Sequence, residues 1–400
     1  MEESRGTTKE MPQEKLWTKN FIVLTLCNLF LFMNLQMVLP ALPSYVKDHF
    51  HASDVTASLV TTLFALSAIV SRLIAGQALQ RGKRNLVLFL GICIALLATM
   101  GYYWCGTIAM FLLMRVLYGI GFGMASTTFP TMTSNVIPFK RMGEGMGYYG
   151  LSTSLAMSLG PTIGLALLAS GFGGLVSGAT FMVAIILPML LLVAPLLRTP
   201  PQAAPATGHA RKLFDRKLLV PCLLNFLLSI VYGGLLSFMA LFGKEVGIAN
   251  VGVFFLVNAV SVVLVRPLSG KIFDKKGHGA LMFPGALLVI LGLLILSFSK
   301  GLLLLSAAAL IFGAGLGALQ PSFQAWMIKV VTPEQRGMAN GMYFNSIDLG
   351  VALGALLLGT VAMNTGYAMM YRLASVIMVV FLIVYIASLA GNKKKPLPIR

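Results

Sequence analysis

The sequence predicts an all-α polytopic membrane protein, with twelve transmembrane helices arranged as two pseudo-symmetric six-helix bundles. Three observations predict it. Of 400 residues, 58% are hydrophobic and only 10% are charged, against about 25% charged in a soluble domain, so lipid must be the solvent for much of the surface. Twelve apolar stretches reach the ~20 residues that a bilayer crossing requires. The two halves also match each other at nearly one offset in sequence.

The N-terminus is polar and of mixed charge through Lys19. The apolar run after it is too long for the core of a signal peptide and lacks a cleavage site, so it reads as an uncleaved first span. The spans are 20–43, 54–79, 85–104, 107–129, 143–168, 173–197, 217–243, 250–272, 279–299, 301–328, 338–363 and 366–390. The tightest turns fall near Gly106, Gly171 and Lys300.

Loop charge sets orientation. Basic clusters lie at Arg81, Lys83 and Arg84, at Lys140 and Arg141, from Arg211 to Lys217, at Lys271, Lys275 and Lys276, and at Lys393 to Lys395. They alternate with nearly uncharged loops around Gly106, Gly171 and Thr365, which places both termini and the central loop in the cytoplasm of a cell whose outer boundary this protein crosses. A Pro- and Ala-rich, then basic, segment at 198–216 reads as a linker between a first half, 1–197, and a second half, 217–400, that ends in a basic tail.

The repeat is visible in single residues. Arg72 and Gly76 near the end of the second span match Arg266 and Gly270 near the end of the eighth, at an offset of 194 (266 − 72). Pro138 and Arg141 match Pro333 and Arg336 one residue further on, and Gly160 matches Gly354. Repeated halves around a midplane site are the architecture of many secondary transporters.

The net charge of +18 does not indicate nucleic-acid binding, because the Lys and Arg residues sit in short clusters between apolar stretches and form no basic face. Cys27, Cys93, Cys105 and Cys222 lie in or beside apolar stretches without metal-ligand spacing, and His49, His51, His209 and His278 fall in predicted loops. No disulfide framework, metal site or cofactor motif is expected.

Three motifs resemble the major facilitator superfamily, and the resemblance covers about Asn20 to Ala390. The first is the family's G-x-L-a-D-R-x-G-R-R loop between its second and third helices. The second half keeps it as Gly270, Asp274, Lys275, Lys276 and Gly277. The first half keeps Gly76, Arg81 and Arg84 but has Gln80 for the acid, with Gly82 one position early. In the family the acid joins a charge network that locks the cytoplasmic gate; Gln80 cannot supply that charge, and a plain basic turn fixing topology is the competing reading. The second motif, R-x-x-q-G-x-g in the fourth helix, appears as Arg115, Tyr118, Gly119 and Gly121, with Tyr for Gln. Arg115 lies eight residues, or ~12 Å, inside its helix, where a charge faces a polar cavity or a partner. The resemblance implies a role in proton transfer; a structural Arg bonded to backbone carbonyls is the alternative. The third, G-x8-G-x3-G-P-x2-G in the fifth helix, appears as Gly147, Ala156, Gly160, Pro161 and Gly164. It resembles the twelve-helix bacterial drug:proton antiporter branch and implies export; close packing of small residues is the bland reading.

A proton-coupled carrier needs a titratable group in the membrane. Of the twelve acids, Glu2, Glu3, Glu10 and Glu14 are N-terminal, and Asp48, Asp54, Asp215, Glu245, Asp274 and Glu334 fall in loops or at helix ends. Glu144 opens the fifth span, where the helix dipole favours an acid, with a proton relay as the sharper reading. Asp348 lies twelve residues past Arg336, ~18 Å along its helix in a ~30 Å core. It is the candidate for proton coupling, with Asn345 on the same face.

In this family helices one, four, seven and ten line the central cavity. The candidate lining is Asn28, Asn34 and Gln36 in the first span, Asn225 and Tyr232 in the seventh, and Gln320 and Gln324 in the tenth, joined by Asn345. Scattered amides on an apolar surface suit amphipathic organic molecules, and each amide is also a candidate for helix–helix bonding. The expected partners are a small-molecule substrate, protons and the lipid bilayer, with the chain acting as a monomer in a bacterial cytoplasmic membrane. A proton symporter importing a nutrient is the competing reading, against which the fifth-helix pattern counts. A membrane enzyme lacks its paired carboxylates for Mg²⁺, and an ATP-driven pump lacks its phosphate loop.

Overall fold

A computed structural model describes residues 15–193, 215–248 and 250–392. The first half holds α1 (Lys19–Val38), α2 (Leu42–Phe50), α3 (Asp54–Gln80), α4 (Arg84–Gly101), α5 (Ile108–Val136), α6 (Met142–Ala169) and α7 (Phe172–Val193). The second holds α8 (Leu219–Val246), α9 (Gly252–Lys276), α10 (Gly279–Ser297), α11 (Leu302–Lys329), α12 (Arg336–Thr365) and α13 (Tyr367–Asn392). Every helix except α2 is long and apolar enough to cross a membrane, twelve in all among the described residues. Lipid offers the backbone no hydrogen bonds, so each spanning segment satisfies its own as a helix.

The ends are set by side chains. Thr18 accepts from the Phe21 amide, Ser53 from Thr56 and Thr107 from Met110, each satisfying an amide that has no partner within its helix. Thr332 and Gln335 form a capping box just before α12. Gly82 and Gly277 both close their helices at a φ of 74°, a conformation that only glycine adopts freely. Despite the one-residue slip in the first motif, Gly82 supplies the same positive φ as Gly277.

Packing follows the repeat. In the first half α5 lies against α3 and α4, and α1 against α6 and α7; in the second, α11 lies against α9 and α10, and α8 against α12 and α13. The halves meet along two seams, α3 with α12 and α6 with α9.

Three expectations are corrected. The first span does not run to residue 43. It ends at Val38, and Leu42–Phe50 forms a separate nine-residue helix. Pro40 and Pro43 break the backbone ladder, while the apolar run continues across the break and conceals it. His49 is not in a loop but in the last turn of α2, whereas His278 lies in the turn before α10, as expected, half-buried against Trp326. The fourth span does not end at residue 129: α5 continues to Val136. The linker proposed at 198–216, up to residue 214, and the basic tail from 393 lie outside the described residues, as does His209.

Candidate functional site

Asp348 of α12 forms an ion pair with Arg72 of α3 across one seam. Arg72 is 2% exposed and the Asp348 side chain 31% exposed, so the cation is fully withdrawn from solvent while the acid keeps an open edge. The Arg72 Nη1 also donates to Asn345 Oδ1 at 3.3 Å, and its Nε to Ser126 Oγ at 3.3 Å. Its guanidinium lies 5.9 Å from the Phe122 ring and 5.4 Å from the Phe344 ring. Asn345 in turn donates to the Ile69 carbonyl at 3.3 Å. A charge in the membrane core is tolerated where it is paired and bonded in this way. The sequence reading used Arg72 only to mark the repeat. A cation ~12 Å inside its helix, on the same basic side from which Asp348 lies ~18 Å deep, was the signal that could have paired them.

The second seam carries the equivalent arginine. Arg266 of α9 donates through Nη1 to the Gly150 carbonyl of α6, and through Nη2 to Gln320 Oε1 at 2.8 Å.

At the basic end the acid of the second-half motif spans the same seam. Both Asp274 oxygens accept from the first amides of α6, Gly143 and Glu144, at 2.8 Å each, and Lys329 Nζ sits 2.8 Å away. The carboxylate thus meets a helix N-terminus and a cation together. Gly270 and Gly143 permit this approach, since a Cβ on Gly270 would lie 2.4 Å from the Gly143 carbonyl. Glu144 pairs with Arg141 at 2.8 Å and Lys271 at 3.7 Å, so it belongs to this end of α6 and is not near Asp348. On the other seam, Gly76 packs on Met338, and Arg336 donates to the Ser134 carbonyl at 2.7 Å and to Asn135 at 2.8 Å. Arg81 and Lys275 point outward, exposed.

Arg115 is fully buried within the first half. Its Nε donates to the Val60 carbonyl at 2.8 Å and its Nη1 to the Tyr102 hydroxyl at 3.2 Å, with Phe64 at 4.8 Å. The structure does not bring it to Asp348. It ties α5 to α3, which is the carbonyl-bonded arrangement that the sequence left open.

Most of the candidate lining amides bond helix to helix. Asn28 donates to Ser152 at 2.8 Å and accepts from Tyr149 at 2.7 Å. Asn34 donates to the Ala179 carbonyl at 2.7 Å and accepts from Tyr118, the residue that replaces the motif Gln. Asn225 donates to Ser346 at 2.7 Å, and Gln324 to Asn340 at 2.9 Å. These four are fully or almost fully buried. Gln36 backs Gly160, while Gln320, Tyr232 and Asn345 lie around the two arginines. Gly160 and Gly164 of the third motif seat α1 on α6, with Gly147 against the Arg266 carbonyl; Pro161 lies within an unbroken α6.

The model of the Major Facilitator Superfamily matches residues 24–302 and 277–400. The chain belongs to the Major Facilitator Superfamily. It is a transporter and a multi-pass membrane protein, not an enzyme. Curated relatives of this superfamily include the Staphylopine export protein of Staphylococcus aureus, 22% identical over 87% of this chain and 89% of the relative. Multidrug resistance protein MdtG of Enterobacter lignolyticus is 25% identical over 92% of this chain and 91% of its own. Among solved superfamily structures, the human organic anion transporter MFSD10 aligns at a TM-score of 0.76 with 17% identity, over 94% of this chain and 100% of that one. A bacterial homologue of the iron transporter ferroportin, in an outward-facing state, aligns at 0.75 with 11% identity, over 92% and 99%. At these identities the two structures show the shared fold.

Proposed function

We propose that the chain is a proton-coupled exporter of small amphipathic organic molecules, working by alternating access. The observation that carries this is the Asp348–Arg72 pair, which joins the two halves near the middle of the membrane. Protonating Asp348 removes the charge that holds Arg72 and frees the α3–α12 seam; losing the proton restores it. Beside Arg72 lies a space of about 10 Å³ lined by Gly76, Gln80, Met338 and Gly341, close to what one water needs and on the basic side of the pair. It offers a proton route toward that face, taken here as cytoplasmic by the positive-inside rule. The names of two relatives, an export protein and a multidrug resistance protein, and the antiporter-like spacing in α6 support the direction. In this reading residues 1–197 rock against 217–400, in a bacterial cell membrane and as a monomer, with Asp274 closing the basic end between cycles.

The test is proton flux in vesicles carrying an internal pH dye and an imposed gradient, challenged with lipophilic compounds and chelators. Substrate-dependent flux in the native chain that disappears in Asp348→Asn is the expected result. Flux in both would remove Asp348 from the proton path and leave Glu144 as the next acid; uptake driven by the gradient would favour the importing symporter.

A further inference from the structure

The two mid-membrane arginines occupy equivalent positions but not equivalent surroundings. Every contact of Arg72 has a counterpart 194 residues away (266 − 72). Ser126 corresponds to Gln320, which likewise bonds its arginine. The acid Asp348, however, corresponds to Ser154, the amide Asn345 to Leu151, and the covering rings Phe122 and Phe344 to Leu316 and Gly150. Arg266 has thus lost its acid, its amide and both rings. It is nonetheless 6% exposed, and its Nε is buried with no hydrogen-bond partner. Among the described residues no carboxylate pairs with it: Asp348 is held by Arg72, Asp274 by Lys329, and Glu144 by Arg141 and Lys271. Tyr232 and Tyr343 stand within electrostatic reach, and the Tyr343 hydroxyl donates to the Gln320 carbonyl at 3.3 Å. At Gly150 the missing side chain matters, since a Cβ would lie 2.3 Å from Arg266 Nη1.

We propose that Arg266 receives the anionic head of the transported molecule, and that the substrate class is amphipathic organic acids. This deepens the exporter reading and rests on it. A buried guanidinium without a counter-charge is costly, and an incoming carboxylate, sulfonate or phosphate monoester supplies that charge with bidentate geometry. Gly150, with no side chain, leaves room for the guanidinium itself, Gln320 holds the fork in orientation, and Tyr232 and Tyr343 offer donors to the head group. The apolar tail lies among the surrounding aliphatic residues. An amphipathic cation meets an unscreened positive charge and is rejected.

Binding to the purified full chain in lipid nanodiscs tests this without any proton gradient. The panel is phenylbutyrate, naphthalene sulfonate and phenyl phosphate, with phenylbutyrate methyl ester and phenylbutylamine as uncharged and cationic controls. The acids are expected to bind about tenfold or more tighter than the ester, and the amine not at all. Arg266→Gln removes that preference, and Arg266→Lys keeps part of it. Ser154→Asp, which rebuilds the acid of the other seam, removes it with Arg266 still in place and carries the test should Arg266→Gln fail to fold. A ranking indifferent to charge, no binding by any acid, or an acid preference that survives both Arg266→Gln and Ser154→Asp overturns the proposal. Acid binding without proton flux would sink antiport and leave this site standing; flux without acid preference would do the reverse.

Discussion

Arg72 and Asp348 lie 276 residues apart in sequence and in contact in the fold. Stranding either one in the membrane core leaves an uncompensated charge, so Asp348→Ala is expected to cost about 3 kcal/mol in stability, the low end for a buried pair because the acid keeps an open edge. The double variant Arg72→Ala with Asp348→Ala should be more stable than either single one, measured by thermal unfolding in nanodiscs as a double-mutant cycle. A second prediction concerns His278, stacked 4.0 Å from Trp326 and bonded to the Tyr385 hydroxyl at 3.0 Å. Burial lowers its affinity for a proton below that of an ordinary imidazole. The unfolded chain then binds more protons there, so stability is full above ~6.5 and declines as pH falls below it. His278→Gln should flatten the melting temperature between about pH 7 and 5. At this scale the sequence disclosed which groups were anomalous, since an acid or an arginine inside an apolar span is conspicuous. It could not disclose partners: the Val60 carbonyl that holds Arg115 and the Ser152 that holds Asn28 have no distinguishing sequence mark.

Helix positions were readable to within a few residues because length and hydropathy are imposed by the bilayer. α2 escaped because its start is as apolar as the span before it, and only the two prolines mark the break. The close approaches of α6 were readable as spacing, not as contacts. A Cβ on Gly164 would lie 2.0 Å from the Met37 carbonyl, an atom of rigid backbone. Gly164→Ala should therefore push α1 from α6 and cost ~1–3 kcal/mol, seen as a lower melting temperature and poorer yield of monodisperse protein. The cap on the same helix makes a separate prediction. Asp274→Ala removes the acceptor of the Gly143 and Glu144 amides. Hydrogen exchange at those two amides should rise about tenfold or more while that of distant α10 is unchanged.

Across the whole molecule the seams carry their acids at different depths, Asp274 and Glu144 at the basic end of α6–α9 and Asp348 midway along α3–α12. Duplication was legible from the offset, but this division was not, because it depends on which replacement, Gln80 or Ser154, faces which helix. Gln80→Asp would set an acid opposite the start of α12, where Gly76 already packs on Met338. It should slow turnover several-fold with binding affinity unchanged, as measured by flux against nanodisc titration. The same division bears on the membrane voltage. In the proposed antiport, coupling through the one mid-depth acid among the described residues would carry one proton inward per cycle. Exchanged for a singly charged acid moving outward, it shifts two positive charges inward per turn, so an interior-negative potential of 100 mV contributes ~4.6 kcal/mol to expulsion. A cell could then run this pump on its voltage alone, even where the pH on its two sides is equal.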